Sequence, residues 1–249
     1  MFSLVIMACV AALHAAPPAA AQRVDDRALT RAAPQEWLTY GRDYAETHYS
    51  PLSQINTNNV SRLALAWSWA IPKIGARLEA VPVISDGVLY ATGPRSFVFA
   101  LDARTGRELW RWDPGIPQGG PSVCCGEVNR GVAVFGELVF VGLLDGRLVA
   151  LNRKTGTLAW SVQTTPPNSD YSITGAPRIV KSNVVIGNGG AEYGVRGYVT
   201  AYNAETGKQV WRWYTVPGNP AHGYENEAMR RAARTWNGEW WRMGGGGTV

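Results

Sequence analysis

The chain has 249 residues, of which 46% are hydrophobic, so it is long enough to bury a large core. Its 28 glycines and 11 tryptophans suit an all-β fold that is rich in turns. The net charge of +5 is modest and no run of lysine or arginine stands out, which argues against a nucleic-acid-binding protein.

The first 21 residues have the pattern of a signal peptide. An apolar run from Leu4 to Leu13 is followed by three alanines before Gln22, which fits a cleavage site at that point. The run is shorter than the ~20 residues that a membrane-spanning helix requires, although an uncleaved anchor is the alternative. We therefore expect export to the periplasm, with residues 22–62 forming an N-terminal segment.

One sequence pattern then occurs three times. It consists of alanine, Asp or Asn, Thr-Gly and tryptophan at fixed spacing, and it covers residues 100–110, 150–160 and 201–211. A period of about 50 residues is typical of propellers and other arrays, in which each unit buries its apolar face against its neighbours.

Each unit contains four strand-like stretches separated by turn residues. In the first unit they lie at 81–84, 88–91, 97–101 and 108–112, and the Thr-Gly turn joins the last two. Four strands in 50 residues match one propeller blade. Trp110 and Trp112 share one face of the last strand, so we expect rows of tryptophan to pack blade against blade.

Residues 63–69 have the pattern of a fourth strand without its three partners, and Trp67 and Trp69 share one face of it. The sequence therefore predicts an all-β fold, a partial β-propeller of about three and a half blades spanning residues 63–249. Further blades would lie beyond Val249. A short packing helix is expected between Tyr224 and Trp236, where apolar residues have helical spacing.

Two adjacent cysteines, Cys124 and Cys125, remain once the expected signal peptide is removed. In an oxidising compartment they could form a disulfide with each other. Neighbouring Cα atoms lie about 3.8 Å apart, below the usual range for a disulfide, so such a ring would be strained. Strain tends to be retained where a site uses it. A pair of reduced buried thiols is the alternative.

The stretch from Cys124 to Gly131, together with that from Gly189 to Gly197, resembles the pyrroloquinoline quinone (PQQ) dehydrogenases of the methanol/ethanol type. Residues 37–43 and 244–249 match the same family. The resemblance implies an eight-bladed quinoprotein propeller that oxidises a primary alcohol to an aldehyde, with electrons leaving to a cytochrome c. It also implies PQQ and a metal ion as cofactors; the metal is usually calcium, with a lanthanide as the alternative.

The resemblance also implies roles for single residues. The quinone would lie against a Cys124–Cys125 disulfide, Arg130 would reach its carboxylates or carbonyls, and Glu192 would hold the metal. The other implied cofactor contacts are Glu79, Thr174, Gly190, Ala191 and Thr248. PQQ carries three carboxylates, which suits an arginine and hydroxyl donors, and a hard divalent ion prefers oxygen ligands. Taken singly these could be ordinary surface residues, but their joint order favours a site.

By the family pattern, the tryptophan that covers the quinone and the catalytic aspartate base would follow Val249. We therefore expect the 249-residue chain alone to be inactive, to bind PQQ poorly and to associate. Two other functions stay open. A non-catalytic PQQ-like propeller could act as a periplasmic protein-binding scaffold, which would not need the cysteine pair or Glu192. A membrane-bound sugar dehydrogenase of the same superfamily is disfavoured by the adjacent cysteines.

Overall fold

The computed structural model describes residues 23–72, 77–120 and 123–248. The expected signal peptide lies outside these ranges. The first sheet consists of β1 (Val83–Ser85), β2 (Val88–Thr92), β3 (Val98–Asp102) and β4 (Glu108–Trp112). The second consists of β5 (Ala133–Phe135), β6 (Leu138–Gly142), β7 (Arg147–Asn152) and β8 (Leu158–Gln163). The third consists of β9 (Arg178–Val180), β10 (Asn183–Gly187), β11 (Tyr198–Asn203) and β12 (Gln209–Tyr214).

Each sheet is antiparallel, with its strands hydrogen-bonded in sequence order, as in a propeller blade. The prediction of three consecutive four-stranded blades is confirmed. In every blade the pairing of the third and fourth strands shifts at the same point of the repeat, after Ala100, Ala150 and Ala201. The repeat in the sequence is therefore also a repeat in backbone geometry.

The Thr-Gly turn of each blade is built by its Asp or Asn. In blade 1, Asp102 Oδ1 accepts hydrogen bonds from the amides of Arg104 and Thr105 at 3.0 and 2.9 Å. Gly106 then takes φ = +70°, which a residue without Cβ adopts readily. Asn152 and Asn203 repeat these bonds in blades 2 and 3. Bonds from the Thr105 side chain and amide lower the pKa of Asp102.

The turn glycines also receive tryptophan rings from the preceding blade. Trp110 of blade 1 lies over Gly156, where an added Cβ would come within 2.6 Å of the ring. Its indole Nε1 donates to the carbonyl oxygen of Arg153 at 2.9 Å. The same contacts join Trp160 to Gly207 and Ala204, and Trp67 to Gly106 and Ala103. Tryptophan therefore packs blade against blade, as predicted.

Residues 63–69 differ from the prediction because they form no strand. The segment nevertheless lies against blade 1: Trp67 covers the turn glycine, and the Trp69 ring stacks on Phe99 with centroids 4.4 Å apart. A strand requires a hydrogen-bonded partner, and within the described ranges none pairs with this segment. The segment thus makes the side-chain contacts of a fourth strand without the backbone hydrogen bonds of one.

The N-terminal segment packs into the same core as the blades. Helix α1 (Asp26–Thr30) contributes Ala28 and Leu29 to the core cluster of blades 1 to 3. Isolated antiparallel bridges join Val24 to Gly136 and Trp37 to Ile84. Residues 23–48 therefore connect the blades from one side instead of forming a separate unit.

After β12, a mainly irregular segment covers residues 215–248. It contains helix α2 (Glu227–Ala233), whose first turn is capped by the Asn226 side chain, and this helix confirms the one predicted within 224–236. The segment returns to blade 3, where Gly245 pairs with Arg196. In the described part of the chain, we find no helix with the length and apolar character needed to cross a membrane.

Candidate functional site

The loop between β4 and β5 carries the adjacent cysteines. Cys124 and Cys125 are joined by a disulfide, so the bonded alternative is the one found, and both residues are exposed. Gly126 follows with φ = +96°, and Val128 is 1% exposed. The loop therefore presents the disulfide outward and is anchored by the buried side chain of Val128, three residues after Cys125.

Arg130 lies near the end of this loop and contacts the segments that precede the first strands of blades 1 and 3. Its backbone amide donates to the carbonyl of Thr174 at 2.9 Å, and its Nη1 donates to Thr174 Oγ1 at 2.8 Å. Its Nη2 lies 3.1 Å from Glu79 Oε2, and its carbonyl accepts from the amide of Val81. The Arg130 side chain is about one-third exposed. It is thus fixed in direction but still accessible to a ligand.

The opposite wall is formed by the loop that follows β10. Gly189 exchanges two backbone hydrogen bonds with Ser172, and Gly190 has φ = +93°. A Cβ on Gly190 would collide with the carbonyl oxygen of Asp170, so glycine is required for both conformation and space. Glu192 stands in the short 3₁₀ turn Ala191–Tyr193. Its carboxylate is exposed and makes no hydrogen bond or ion pair with any described residue.

Between these loops lies a cavity of about 260 Å³. Its lining includes seven of the predicted site residues: Cys124, Cys125, Arg130, Thr174, Gly190, Ala191 and Glu192. Glu79 does not line this cavity and reaches it through Arg130. The structure therefore brings together residues that are 68 positions apart in the sequence, from Cys124 to Glu192.

Thr248 lies next to the cavity instead of in it. Its Oγ1 donates to the carbonyl of Tyr198 at 2.6 Å and accepts from the amide of Asn188 at 3.2 Å. Thr248 lines a neighbouring cavity of about 450 Å³, which shares Arg130 with the first, whereas Gly247 reaches the first cavity. In this structure the Thr248 hydroxyl is occupied by backbone contacts.

The sequence did not identify two residues that hold the opposite wall, the loop after β10. Asn188 is fully buried, its Oδ1 accepts from the amide of Tyr198 and its Nδ2 donates to the carbonyl of Gly189. Ser172 lines the cavity and pairs with Gly189 through its backbone. Neither has a distinctive sequence signal.

Burial raises the pKa of the Tyr198 phenol to about 12, so this residue stays neutral and acts only as a hydrogen-bonding group.

The residues of the cavity fit PQQ chemically. PQQ is a planar molecule with three carboxylates, and its ring can lie on the exposed disulfide. The guanidinium of Arg130, held by Thr174, is available for charge-assisted hydrogen bonds to it. Gly190 lets backbone approach a ligand closely. The free carboxylate of Glu192 offers hard oxygen donors on the same side.

Comparison with known proteins agrees with this chemistry. Residues 37–244 match the PQQ family described as "Glucose/ethanol/alcohol dehydrogenase, beta-propeller domain". The chain is 53% identical over 246 residues to quinohemoprotein alcohol dehydrogenase ADH IIB of Pseudomonas putida, covering 98% of this chain and 35% of that protein. It is 48% identical over 208 residues to 1-butanol dehydrogenase (cytochrome c) of Thauera butanivorans, covering 83% of this chain and 30% of that protein.

A solved structure, that of quinohemoprotein alcohol dehydrogenase ADHIIG from Pseudomonas putida HK5, superimposes with a TM-score of 0.86 at 52% identity. The match covers 90% of this chain and 33% of that one. The chain thus spans about a third of the length of the relatives that it matches. On sequence and fold together, the chain belongs to the β-propeller family of PQQ-dependent glucose, ethanol and alcohol dehydrogenases.

Proposed function

We propose that this chain supplies one side of the cofactor site of a PQQ-dependent alcohol dehydrogenase, which oxidises primary alcohols to aldehydes. The observation that carries the proposal is the convergence of the Cys124–Cys125 disulfide, Arg130 and Glu192 on one cavity. A scaffold propeller has no need for this combination. The high identity to ADH IIB supports the same chemistry.

Cofactor binding on this side is assigned to fixed groups. Arg130 donates to cofactor oxygens, because its position is already determined by Thr174 and Glu79. Thr174 offers its hydroxyl from the same edge. The disulfide forms the supporting surface, while Gly190 and Ala191 allow backbone to approach. Glu79 and Thr248, which the resemblance implies as cofactor contacts, are proposed here to act indirectly, since Glu79 orients Arg130 and Thr248 fixes the adjoining backbone.

The metal is assigned to Glu192, and calcium is the proposed ion. Glu192 provides two oxygens and has no described partner that would compete for them. A carboxylate without an ion pair in the described part of the chain is suited to a divalent cation, which would supply Lewis-acid polarisation of a neighbouring carbonyl. PQQ, when bound, supplies the quinone that accepts a hydride from the alcohol. We propose a cytochrome c as the electron acceptor, as the name of the Thauera butanivorans relative suggests.

We further propose that the mature protein acts in the periplasm after loss of residues 1–21. The vicinal disulfide supports an oxidising compartment. We propose that the mature chain then consists of an N-terminal segment, residues 22–62, and the propeller repeats, residues 63–249. The packing of residues 23–48 against the blades supports their being retained in the mature protein.

The function is tested by a chimera in which this chain replaces the matching stretch of Pseudomonas putida ADH IIB. We expect alcohol oxidation that requires added PQQ and calcium, measured with an artificial electron acceptor. Arg130→Ala should weaken PQQ binding about tenfold or more, because a charged hydrogen bond is lost. Glu192→Gln should raise the calcium requirement about tenfold or more, since a metal ligand is altered.

A matched control is Arg147→Ala, which removes an arginine that pairs with Asp145 away from the cavity. This variant should keep the PQQ affinity and the calcium requirement of the unmodified chimera. If a folded chimera oxidised alcohols without PQQ, or if Arg130→Ala and Arg147→Ala had the same effect, the proposal would be wrong. A lanthanide that replaced calcium with higher activity would overturn the calcium assignment alone.

A further inference from the structure

A short turn lies against the loop between β4 and β5 that carries the Cys124–Cys125 disulfide, called the disulfide loop below. Between β2 and β3, the consecutive residues Arg95 and Ser96 have φ values of +57° and +61°, which are unfavourable for residues that carry a side chain. Ser96 is fully buried. Such a conformation persists where surrounding contacts determine it, and it clusters at functional sites. Hydrogen bonds from neighbouring segments hold this turn in place.

The turn contacts the disulfide loop at two points. The Arg95 amide donates to the carbonyl of Glu127 at 2.8 Å, and the Arg95 guanidinium lies 3.8 Å from the Glu127 carboxylate. Ser96 Oγ accepts a hydrogen bond from Asn129 Nδ2 at 3.0 Å and another from the amide of Leu144 at 3.3 Å. These points flank Val128 and lie immediately before Arg130.

Asn129 is the centre of the second contact. It is 2% exposed, and its Nδ2 also donates to the carbonyl of Gly142 at 2.7 Å. Its Oδ1 accepts from the amide of Gly131 at 3.0 Å, and its carbonyl accepts from Thr92 Oγ1 at 3.3 Å. Asn129 thus links the end of β6 to Gly131 through its side chain and the end of β2 through its backbone carbonyl.

Building on the proposed function, we infer that Asn129, held by Ser96, is a positioning residue for the cofactor side of the site. It does not line the cavity. It fixes the backbone from Gly126 to Gly131, and with it the direction of the Arg130 guanidinium. The alternative is that Asn129 merely contributes to overall stability, as any satisfied buried asparagine would.

The two roles are separated by hydrogen exchange of the chimera with Pseudomonas putida ADH IIB and by its titration with PQQ, followed through tryptophan fluorescence. In Asn129→Ala we expect the amides of residues 124–131 to exchange about tenfold faster, while β6 and β7 keep their protection. We expect the dissociation constant for PQQ in the chimera to rise about tenfold as Arg130 loses its fixed position.

Asn188→Ala is the matched control, because Asn188 is equally buried and hydrogen-bonded but holds the opposite loop. It should lower the thermal midpoint without faster exchange at 124–131. Ser96→Gly is the milder variant if Asn129→Ala does not fold, since glycine accepts the positive φ and only the hydroxyl is lost. It should shift exchange and affinity in the same direction by about threefold.

A double-mutant cycle with Arg130→Ala identifies the route of the effect. If Asn129 acts through Arg130, Asn129→Ala adds no further loss of PQQ affinity when Arg130 is already alanine. An additional loss in that background would overturn the inference, as would equal exchange at 124–131 in the Asn129 and Asn188 variants. If Arg130→Ala alone left PQQ affinity unchanged, the proposed function would fail, while the exchange result would still decide whether Asn129 fixes the loop.

Discussion

Trp110 and Trp211 occupy the same position of the repeat but have different surroundings. Trp110 is 8% exposed, lies over Gly156 and donates its indole proton to the carbonyl of Arg153. Trp211 is 44% exposed, and its indole has no hydrogen-bond partner among the described residues. The repeat therefore places a tryptophan at this position in each blade. How much that tryptophan stabilises the fold depends on whether the Thr-Gly turn of a following blade covers its ring.

Blade 3 is instead contacted by the segment of residues 215–248, through polar groups. Arg196 donates to both carboxylate oxygens of Glu225 at 2.6 and 3.1 Å and to the carbonyl of Val216 at 2.8 Å. Its guanidinium lies 3.9 Å from the centroid of the Tyr214 ring. The junctions between blades are thus mainly apolar, whereas the attachment of this segment depends on a charge pair. The two should respond differently to mutation and to pH.

The largest expected effect comes from removing the buried ring. Trp110→Ala should lower the free energy of unfolding by about 3–5 kcal/mol, because a large cavity is left between blades 1 and 2. Trp211→Ala should cost about 1 kcal/mol or less, since that ring is already partly in water. Chemical denaturation of both variants measures the difference, and equal losses would show that the two positions are energetically equivalent.

A smaller effect is expected at the turn glycine beneath the ring. Gly156→Ala forces a Cβ into a residue with φ = +71° and against Trp110, and should cost about 2–3 kcal/mol. Gly87→Ala is the matched control, because its φ is +73° but an added Cβ meets nothing within 4 Å. It should show only the backbone cost of about 1–2 kcal/mol. The denaturation difference between the variants isolates the contact with the ring, and no difference would argue against that contact.

The repeat could be predicted because its turn is made by local contacts. Asp102 bonds amides two and three residues away, so the pattern of Asp or Asn with Thr-Gly is sufficient to identify the turn. The strand expected at 63–69 depends on distant partners, and a pattern of apolar residues cannot supply them. The tryptophan contacts of that segment were nevertheless predictable, because they follow the repeat.

The residues of the site can also be separated into those that short sequence motifs indicate and those that depend on distant contacts. The disulfide, Arg130 and Glu192 could be proposed from short motifs that resemble a known family. Asn129 and Asn188 could not be recognised as structural supports, because a loop asparagine looks the same in the sequence whether it is buried or exposed. Their role arises when backbone from separate segments surrounds the amide, such as Gly142 for Asn129.

The smallest effect is the pH response of the polar attachment. The hydrogen bond from Arg196 lowers the pKa of Glu225 below its ordinary value of 4.5, so this pair stabilises the fold above pH 4.5 and the contribution is lost as pH falls through the lowered pKa. Because Glu225 is 41% exposed, screening limits the gain to about 1 kcal/mol or less. Glu225→Gln should therefore lower the thermal midpoint slightly at pH 7, and the gap to the unmodified chain should close in acid.

The apolar junction provides the control for that measurement, because no titrating side chain takes part in the contact between Trp110 and Gly156. The loss caused by Trp110→Ala should accordingly stay the same at pH 7 and in acid. If the gap for Glu225→Gln persisted at low pH, the attachment of residues 215–248 would depend on packing of the glutamate side chain. In that case the distinction between a polar and an apolar junction would be wrong for blade 3.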